Sequence, residues 1–168
     1  MAKKSNNHAE LHEKLRAAID TEQVIAQCSR HLAGLIKNGA VRNKFMQLTQ
    51  EALANKEVLL SIGCSLGARE LEVAERCKLC KIDPESFSQL GAVILGFELT
   101  RSAVTLYHDL AAGTSNEQDK KIFERLCKEK KAHQRFLAKE QKFITERAQG
   151  ISLGCFGDYC IPQVIQNL

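Results

Sequence analysis

Apolar residues recur at steps of three, four and seven along this chain. The first stripe comprises Leu11, Leu15, Ala18, Ile25, Leu32 and Ile36, and the second comprises Val41, Phe45, Leu48, Ala52 and Leu59. This spacing places the apolar side chains on one face of an α-helix. A chain of 168 residues with only two Pro and ten Gly is also unlike a loop-rich β fold. We therefore predict an all-α protein.

Start and stop signals divide the chain into four predicted helices. The bounds are His8–Lys37, Val41–Ile62, Pro84–Ala112 and, for the last helix, Ser115 to Gln149. Asn38-Gly39 is expected to end the first helix as its C-cap, because both residues tolerate a left-handed conformation. Asp83-Pro84 is a start signal for the third helix, and Ser115 is the expected N-cap of the fourth. The bundle is predicted to span residues 1–150, and residues 151–168 form a tail of different composition.

The lengths of the connections predict how the helices pair. The first and second helices are joined by a short loop, which makes them antiparallel neighbours. The segment from Cys64 to Asp83 separates the second helix from the third and is too long for a simple hairpin loop. Two helical hairpins joined by a long crossover form a ferritin-like four-helix bundle. An up-down-up-down bundle is the alternative, but its short loops would not need this segment.

The segment KIFERLCKEKKAHQRFL resembles the last bundle helix of rubrerythrin-like proteins, where a Glu-x-x-His pair follows an FxxL pattern. The resemblance covers most of Glu10–Phe143 and concerns topology and pattern. It implies a di-iron carboxylate bundle, with one Glu from each of two helices and a Glu-x-x-His from each of the other two. Residues three apart share a helix face and can therefore reach one metal pair.

Most of the ligands that the resemblance implies are replaced in this chain. Glu22 remains on the first helix, between Ala18 and Ile25 of the apolar stripe. The other ligand positions are occupied by Ala52 and Asn55 on the second helix, Thr100 on the third, and Lys130 three residues before His133 on the fourth. The resemblance thus predicts a degenerate site that has lost its capacity for iron chemistry.

A lysine at a lost ligand position suggests what replaces the metal. A buried carboxylate needs a positive partner, and Lys130 is placed to supply it to Glu22. We expect Asn55, Thr100 and His133 to complete the hydrogen bonds of this interior polar cluster. Two simpler alternatives remain: Glu22 at the edge of the stripe reaching solvent, and His133 as a core imidazole bonded to Glu129 or a carbonyl.

These observations favour a non-catalytic bundle with a structural or interaction role and no cofactor. The sequence also shows no nucleophile–base grouping and no Gly-rich phosphate loop. The first alternative is a rubrerythrin-like metal-binding oxidoreductase that uses a reduced ligand set. Its candidate ligands are Glu22, Glu98, Glu129 and His133, with iron or zinc as the metal.

Cysteines provide a second candidate metal site. Cys77-x-x-Cys80 precedes the third helix, and Cys155 and Cys160 follow the fourth. In a ferritin-like topology these positions lie at the same end of the bundle, and four thiolates form a zinc or iron site. The alternative is free thiols that pack the tail as small apolar residues.

The outer face of the fourth helix is basic. Its cations are Lys121, Lys128, Lys131, Arg135, Lys139 and Lys142. A nucleic-acid or regulatory binder working through this face is the second alternative function. The interpretation that we favour is a solvated face balanced by Glu117, Glu124 and Glu146, because a net charge of +4 and the absence of Trp give no support to a nucleic-acid partner.

The third helix is unusually apolar over LGAVILGFEL, residues 90–99. Helical rotation turns Leu95, Leu99 and Leu106 away from the core stripe, which predicts an exposed apolar patch and a homodimer through this helix. Gly91 and Gly96 would allow two such helices to approach closely. The crossover or the tail covering the patch is the alternative. We expect no membrane span and, without a secretory leader, a cytoplasmic protein.

Overall fold

The computed structural model describes the backbone of residues 2–66 and 88–154, and the side chains of residues 10–66 and 88–148. Four helices account for nearly all of this part of the chain. They are α1 (Ala2–Leu35), α2 (Gly39–Ser65), α3 (Gln89–Gly113) and α4 (Glu117–Gly154). The all-α four-helix prediction is confirmed.

The turn between α1 and α2 is organised by Asn38. Its side-chain Oδ1 accepts hydrogen bonds from the backbone N–H groups of Ala40 at 3.0 Å and Val41 at 3.1 Å. Asn38 has an extended conformation, with φ −66° and ψ 115°. It is therefore the N-cap of α2, and the expectation that it ends the first helix as a left-handed C-cap is wrong.

Two other helix starts differ from the sequence prediction. Ser88 is extended and its Oγ accepts from the N–H of Gly91 at 3.0 Å, so α3 begins at Gln89 and a continuous helix from Pro84 is wrong. Asn116, not Ser115, caps α4, because its Oδ1 accepts from the N–H of Gln118 at 2.9 Å. In both cases the predicted start lies N-terminal to the side chain that makes the bond.

The fourth helix also ends later than the sequence suggests. It continues through Gly150 to Gly154. A single glycine lowers helix propensity by about 1 kcal/mol and does not stop a long helix by itself. The boundary predicted between the bundle and the tail at residues 150 and 151 therefore lies inside α4.

The helices form two antiparallel hairpins, α1–α2 and α3–α4. Lys56 near the end of α2 bonds Gln23 of α1, and Cys127 of α4 bonds the carbonyl of Val104 of α3. The starts of α2 and α3 lie at the same end of the bundle, because Gly96 packs against Phe45. These two helices are therefore parallel, and the end of α2 and the start of α3 lie at opposite ends of the bundle. The long crossover is confirmed.

Two apolar clusters fill the bundle. The larger cluster lies at the end that holds the start of α1 and the end of α2, and its buried members are Leu15, Ala18, Ile19, Ile25, Ala26, Leu48, Ala52, Leu59, Ile62, Ala103, Tyr107, Leu110, Phe123, Leu126 and Cys127. The smaller cluster lies at the other end and comprises Leu32, Ala33, Ile36, Val41, Phe45, Ala92, Val93 and Leu137.

The apolar third helix packs mainly inside the molecule. Leu99 and Leu106 are partly buried against the larger cluster and Leu95 against the smaller one, so the predicted outward patch of leucines is wrong. Gly96 is buried against Phe45 and Leu137, so its close contact is within one chain. The error arose because side chains on the flank of a stripe reach the core when two neighbouring helices pack against them.

By length and composition alone α3 could cross a membrane. The core helix of a soluble protein passes the same test. In this chain α3 packs against both α1 and α4, and its Ala92, Val93, Gly96, Thr100, Ala103, Tyr107 and Leu110 are buried.

Candidate functional site

Glu22 and Lys130 face each other across the centre of the bundle. The Nζ atom of Lys130 lies 2.7 Å from Oε2 of Glu22, and neither side chain has any solvent exposure. Glu22 is on α1 and Lys130 is on α4. A buried ion pair is retained only when each charge has a close partner, because desolvation of an unpaired ion costs several kcal/mol.

Tyr107 of α3 contacts the second oxygen of the Glu22 carboxylate. Its hydroxyl donates a hydrogen bond to Oε1 of Glu22, and the ring is fully buried. Burial, reinforced by the charge of Glu22, raises the pKa of the Tyr107 phenol, so the hydroxyl keeps its proton and acts as a donor. The sequence assigned Tyr107 to the core and gave no sign of this bond.

The carboxylate of Glu22 responds to opposing effects. Burial raises its pKa, while the charge and hydrogen bond of Lys130 and the hydrogen bond of Tyr107 act to lower it. Burial has the larger effect, so the pKa of Glu22 is raised. Three helices thus converge on one carboxylate, and its two oxygens are both engaged.

His133 makes a separate pair with Glu51. The Nε2 atom of His133 lies 2.5 Å from Oε2 of Glu51, with the His133 side chain 5% exposed and the Glu51 side chain 32% exposed. Burial lowers the pKa of His133 more than the Glu51 hydrogen bond raises it. A neutral imidazole donates here through Nε2–H, which leaves Nδ1 as a buried acceptor without a hydrogen-bond partner among the described residues.

Glu51 is the site residue that the sequence analysis missed. Burial acts to raise the pKa of its carboxyl, but the hydrogen bond and charge of His133, the hydrogen bond from Gln47 and the charge of Lys44 together outweigh burial, so the pKa is lowered. A signal was present, since Glu51 lies three residues after Leu48 and four before Asn55 and so flanks the apolar stripe of α2. A flanking carboxylate can turn inward toward a partner on the neighbouring helix.

Three residues expected to bond the Glu22–Lys130 pair do not do so. His133 bonds Glu51 instead. Thr100 is fully buried, but its hydroxyl donates to the carbonyls of Gly96 at 3.0 Å and Phe97 at 2.9 Å in its own helix. Asn55 is 4% exposed, and its Nδ2 has no hydrogen-bond partner within the described residues. The expectation is wrong for Thr100 and His133 because the backbone of α3 and the carboxylate of Glu51, respectively, bond these side chains instead.

The alternative metal ligands are not brought together. Glu98 forms a surface ion pair with Arg101 at 2.6 Å, and Glu129 forms one with Arg125 at 3.1 Å. Over residues 10–66 and 88–148, no three His, Cys, Asp or Glu side chains are grouped as metal ligands. The proposed set of Glu22, Glu98, Glu129 and His133 is therefore wrong as a single site.

The four cysteines of the predicted metal site lie outside the described residues. They are Cys77, Cys80, Cys155 and Cys160. Of the remaining cysteines, Cys28 and Cys127 are buried and Cys64 is exposed, and all three are thiols.

The six basic residues that were predicted to form the outer face of α4 lie on its solvent side. Lys121, Lys128, Lys131, Arg135, Lys139 and Lys142 are all exposed. Lys142 lies 3.6 Å from Glu146, which supports the expectation of partial charge balance on this face. Exposed pairs of this kind contribute about 0–1 kcal/mol to stability.

The residues present do not fit a di-iron centre of the kind that the sequence resemblance implied. The one carboxylate at the centre of the bundle is already bound by an ammonium group and a phenol. The carboxylate of Glu51 is paired with His133 and accepts a hydrogen bond from Gln47. A cationic Lys130 within hydrogen-bond distance of Glu22 repels a metal ion from that carboxylate, so the site lacks the donor set and the charge that two irons require.

No protein-family model matches the sequence, and no curated protein matches it significantly. Solved structures do match the fold. A dodecameric thioferritin, the bacterioferritin-related protein of Bacteroides fragilis, is similar at 17% identity with a TM-score of 0.71, over 85% of this chain and 90% of that one.

Two further structures give the same result. The bacterioferritin of Rhodobacter capsulatus, solved with a metal-free dinuclear site and haem iron, has 16% identity and a TM-score of 0.69, over 91% of this chain and 97% of that one. A hypothetical protein of Pyrococcus furiosus has 18% identity and a TM-score of 0.69, over 81% and 90% of the two chains. At such identities the similarity concerns the fold alone, and the chain has the ferritin-like four-helix fold.

Proposed function

We propose that this chain is a non-catalytic ferritin-like bundle whose dinuclear metal site has been replaced by an internal ion pair. The observation that carries the proposal is the 2.7 Å contact between Lys130 Nζ and Glu22 Oε2, with both side chains fully buried. The ammonium group supplies the positive charge that a metal would otherwise bring to a buried carboxylate. The bundle then keeps its interior polar residues for stability and not for oxygen or iron chemistry.

The fourth helix offers a direct test of this proposal. Lys130 stands three residues before His133, so Lys130→Glu creates the Glu-x-x-His spacing with Glu22 and Glu51 on the facing helices. We expect the purified wild-type protein to contain no stoichiometric iron, manganese or zinc after incubation with each metal and desalting. We expect the Lys130→Glu variant to retain a divalent metal under the same conditions and to unfold at a higher temperature when the metal is present.

Lys131→Glu is the matched control. It makes the same change of charge at the next residue, which is exposed and directed away from the core. Metal retention by both variants would indicate nonspecific binding to added carboxylates. Two irons per chain in the wild-type protein would overturn the proposal. If Lys130→Glu does not fold, Lys130→Met serves instead, because metal uptake by that variant but not by the wild type would still identify Lys130 as the group that excludes the ion.

We further propose that the chain self-associates, as does the dodecameric thioferritin of Bacteroides fragilis, whose fold it shares. The exposed large apolar side chains of the described residues are Met46, Leu53, Ile94 and Phe143. Ile94 on α3 is 40% exposed and provides the remaining support for a homodimer through the third helix. On this proposal the protein has a structural or interaction role that depends on self-association, and it does not catalyse a reaction.

Sedimentation of two variants tests the dimer interface. Ile94→Lys should dissociate a dimer formed through α3, whereas Leu53→Lys on α2 should leave it intact. Both side chains are similarly exposed, at 40% and 47%, so the two changes carry a similar cost in the monomer. Dissociation by Leu53→Lys alone would move the interface to α2. A monomeric wild-type protein at micromolar concentration would overturn self-association.

A further inference from the structure

A groove of about 500 Å³ opens between the end of α3 and the first half of α4. Four cationic side chains line it, namely Lys120, Lys128, Lys131 and Arg135, and the carboxylate in its lining is Glu124. Small-molecule sites in proteins commonly have volumes of roughly 300–1,000 Å³, so the groove is large enough for a ligand. Its excess of positive charge indicates that the ligand is an anion.

None of these four cations has a carboxylate within salt-bridge distance among the described residues. Other basic side chains of α4 do have one: Arg125 pairs with Glu129 at 3.1 Å, and Lys142 is 3.6 Å from Glu146. Within the lining of the groove, four cations thus stand against one carboxylate, Glu124, which is not within salt-bridge distance of any of them. Unpaired cations that share a concave surface concentrate positive potential more than the same charges on a convex surface.

The spacing of the cations suits a ligand with several negative charges in a row. Lys128, Lys131 and Arg135 are three and four residues apart, so they share one face of α4 and span about 10 Å along its axis. A single carboxylate would reach one or two of them. A chain of phosphate groups carries enough charge to meet all three, with the planar guanidinium of Arg135 suited to bidentate contact.

A second depression, of about 280 Å³, adjoins the first. Lys131 and Arg135 line both, and Phe97 of α3 contributes to the second. These two cations therefore stand between the two concavities. Ala111 and Cys127 give the larger groove an apolar portion of its lining.

We propose that this groove binds an oligophosphate, with Lys128, Lys131 and Arg135 as its principal contacts. The shared ligand chemistry is a short chain of phosphates, either free or attached to a nucleoside. This proposal does not rest on the proposed function, because no groove residue belongs to the Glu22 or the His133 pair.

Isothermal titration of the full chain with inorganic tripolyphosphate tests the proposal at about 0.15 M salt, where nonspecific surface attraction is screened beyond roughly 8 Å. The double variant Lys131→Glu/Arg135→Glu should bind at least about tenfold more weakly than the wild type, since two attractive contacts become repulsive. The control is Lys121→Glu/Lys139→Glu, which changes the net charge equally at exposed positions of the same helix that do not line the groove. The control should stay within about threefold of the wild type.

Three results would overturn the proposal. They are the absence of tripolyphosphate binding by the wild-type chain, equal loss of affinity in both double variants, and tighter binding of duplex DNA that both double variants weaken equally, which would assign the whole basic face to nucleic acid. Comparing tripolyphosphate with ATP separates the two sources of phosphate. Tighter binding of ATP would indicate a nucleoside in the apolar part of the groove, and equal or weaker binding of ATP would indicate a free oligophosphate.

Discussion

The carboxylates of Glu22 and Glu51 both contact groups inside the bundle, but they differ in burial and in the origin of their hydrogen bonds. Glu22 is fully buried and both of its oxygens accept hydrogen bonds, from Lys130 and Tyr107. Glu51 keeps 32% of its side chain exposed, contacts His133 through Oε2, and accepts a hydrogen bond from Gln47 at 2.6 Å through Oε1. Each carboxylate therefore has a donor on both oxygens, but the difference lies in where the donors come from. Both donors to Glu22 belong to other helices, whereas one donor to Glu51, the amide of Gln47, lies on the same helix as the carboxylate, which water also reaches.

The comparison indicates how much each pair contributes to the stability of the bundle. The Glu22 network joins α1, α3 and α4, so it ties the two hairpins together at the centre of the core. The His133 pair joins α2 and α4 at the edge of the core. Breaking the first leaves a buried charge, whereas breaking the second leaves a group that water can still reach. The predictions below test this difference in order of expected size.

The largest effect should come from Glu22→Ala, which leaves the Lys130 ammonium buried without its partner. We expect the free energy of unfolding to fall by about 3–5 kcal/mol. Chemical denaturation of the variant and of Lys130→Met provides the measurement. A double variant, Glu22→Leu/Lys130→Met, should recover much of the loss, because neither charge then remains. A loss below about 1 kcal/mol for Glu22→Ala would show that the pair is not buried in solution.

Tyr107→Phe should have the next largest effect. It removes the hydroxyl that donates to Glu22 and leaves the ring in place, so one buried carboxylate oxygen loses its bond. Hydrogen bonds to charged groups contribute about 1.5–3 kcal/mol, and we expect a loss in that range. The variant made in a Glu22→Gln background should cost less, which distinguishes the loss of the charged bond from a change in ring packing.

Gly96→Ala measures how far a purely steric change lowers the free energy of unfolding, for comparison with the two polar changes above. A Cβ at Gly96 would lie 2.7 Å from the Phe45 ring, which is itself buried, so the ring or α3 must move. We expect a loss of about 1–3 kcal/mol. Gly34→Ala is the control, because a Cβ there meets nothing within 4 Å. Gly34→Ala should leave stability unchanged or raise it by up to about 1 kcal/mol, and a loss as large as that of Gly96→Ala would exclude the contact as the cause.

The smallest effect should come from His133→Gln, and it should depend on pH. The pKa of His133 is lowered from 6.5, so the unfolded chain takes up a proton more readily than the folded chain, and stability falls as the pH drops below 6.5. The lowered pKa of Glu51 acts in the same direction at lower pH, where its protonation also removes stability. The raised pKa of Glu22 acts in the opposite direction, with stability lost as the pH rises through it, but this contribution is common to both proteins.

The measurement is the free energy of unfolding at about pH 5.5 and about pH 7.5 for both proteins. The wild type should gain more stability between the two pH values than His133→Gln does. Equal gains would mean that His133 titrates alike in the folded and unfolded states, and thus that its burial does not control its protonation.

Helix number, pairing and the long crossover were predictable because they depend on periodicity and on connection length. The helix ends were not, since Ser88 and Asn116 are chosen as caps by local backbone conformation, which a pattern of apolar residues does not specify. The leucines of α3 show a second limit. Rotation about one helix axis identifies the flank of a stripe, but whether that flank is covered depends on where the neighbouring helices lie.

The interior polar residues also include features that could be predicted from the sequence and features that could not. The resemblance to rubrerythrin-like proteins implied that Glu22, Asn55, Thr100, Lys130 and His133 lie inside the bundle, because they occupy its ligand positions, and Glu22 also lies on an apolar stripe. It predicted the contact between Lys130 and Glu22, which the structure contains. It did not predict the partners of Thr100 and His133, because such contacts depend on the relative shift of helices along their axes. Glu51 was missed for that reason, and Tyr107 was missed because a tyrosine on a stripe is indistinguishable from any other core aromatic residue.

The crossover topology also has a consequence for the order of events during folding. Each hairpin joins helices that are adjacent in the chain, whereas the Glu22–Lys130 contact joins residues 108 positions apart. Closing so long a loop has a large entropic cost, so the hairpins are expected to form before the pair does. The ion pair then forms in the last step, when the two preformed hairpins pack against each other. Substitutions at Lys130 should accordingly speed unfolding while leaving the refolding rate almost unchanged, which makes the pair a source of kinetic persistence for the folded state.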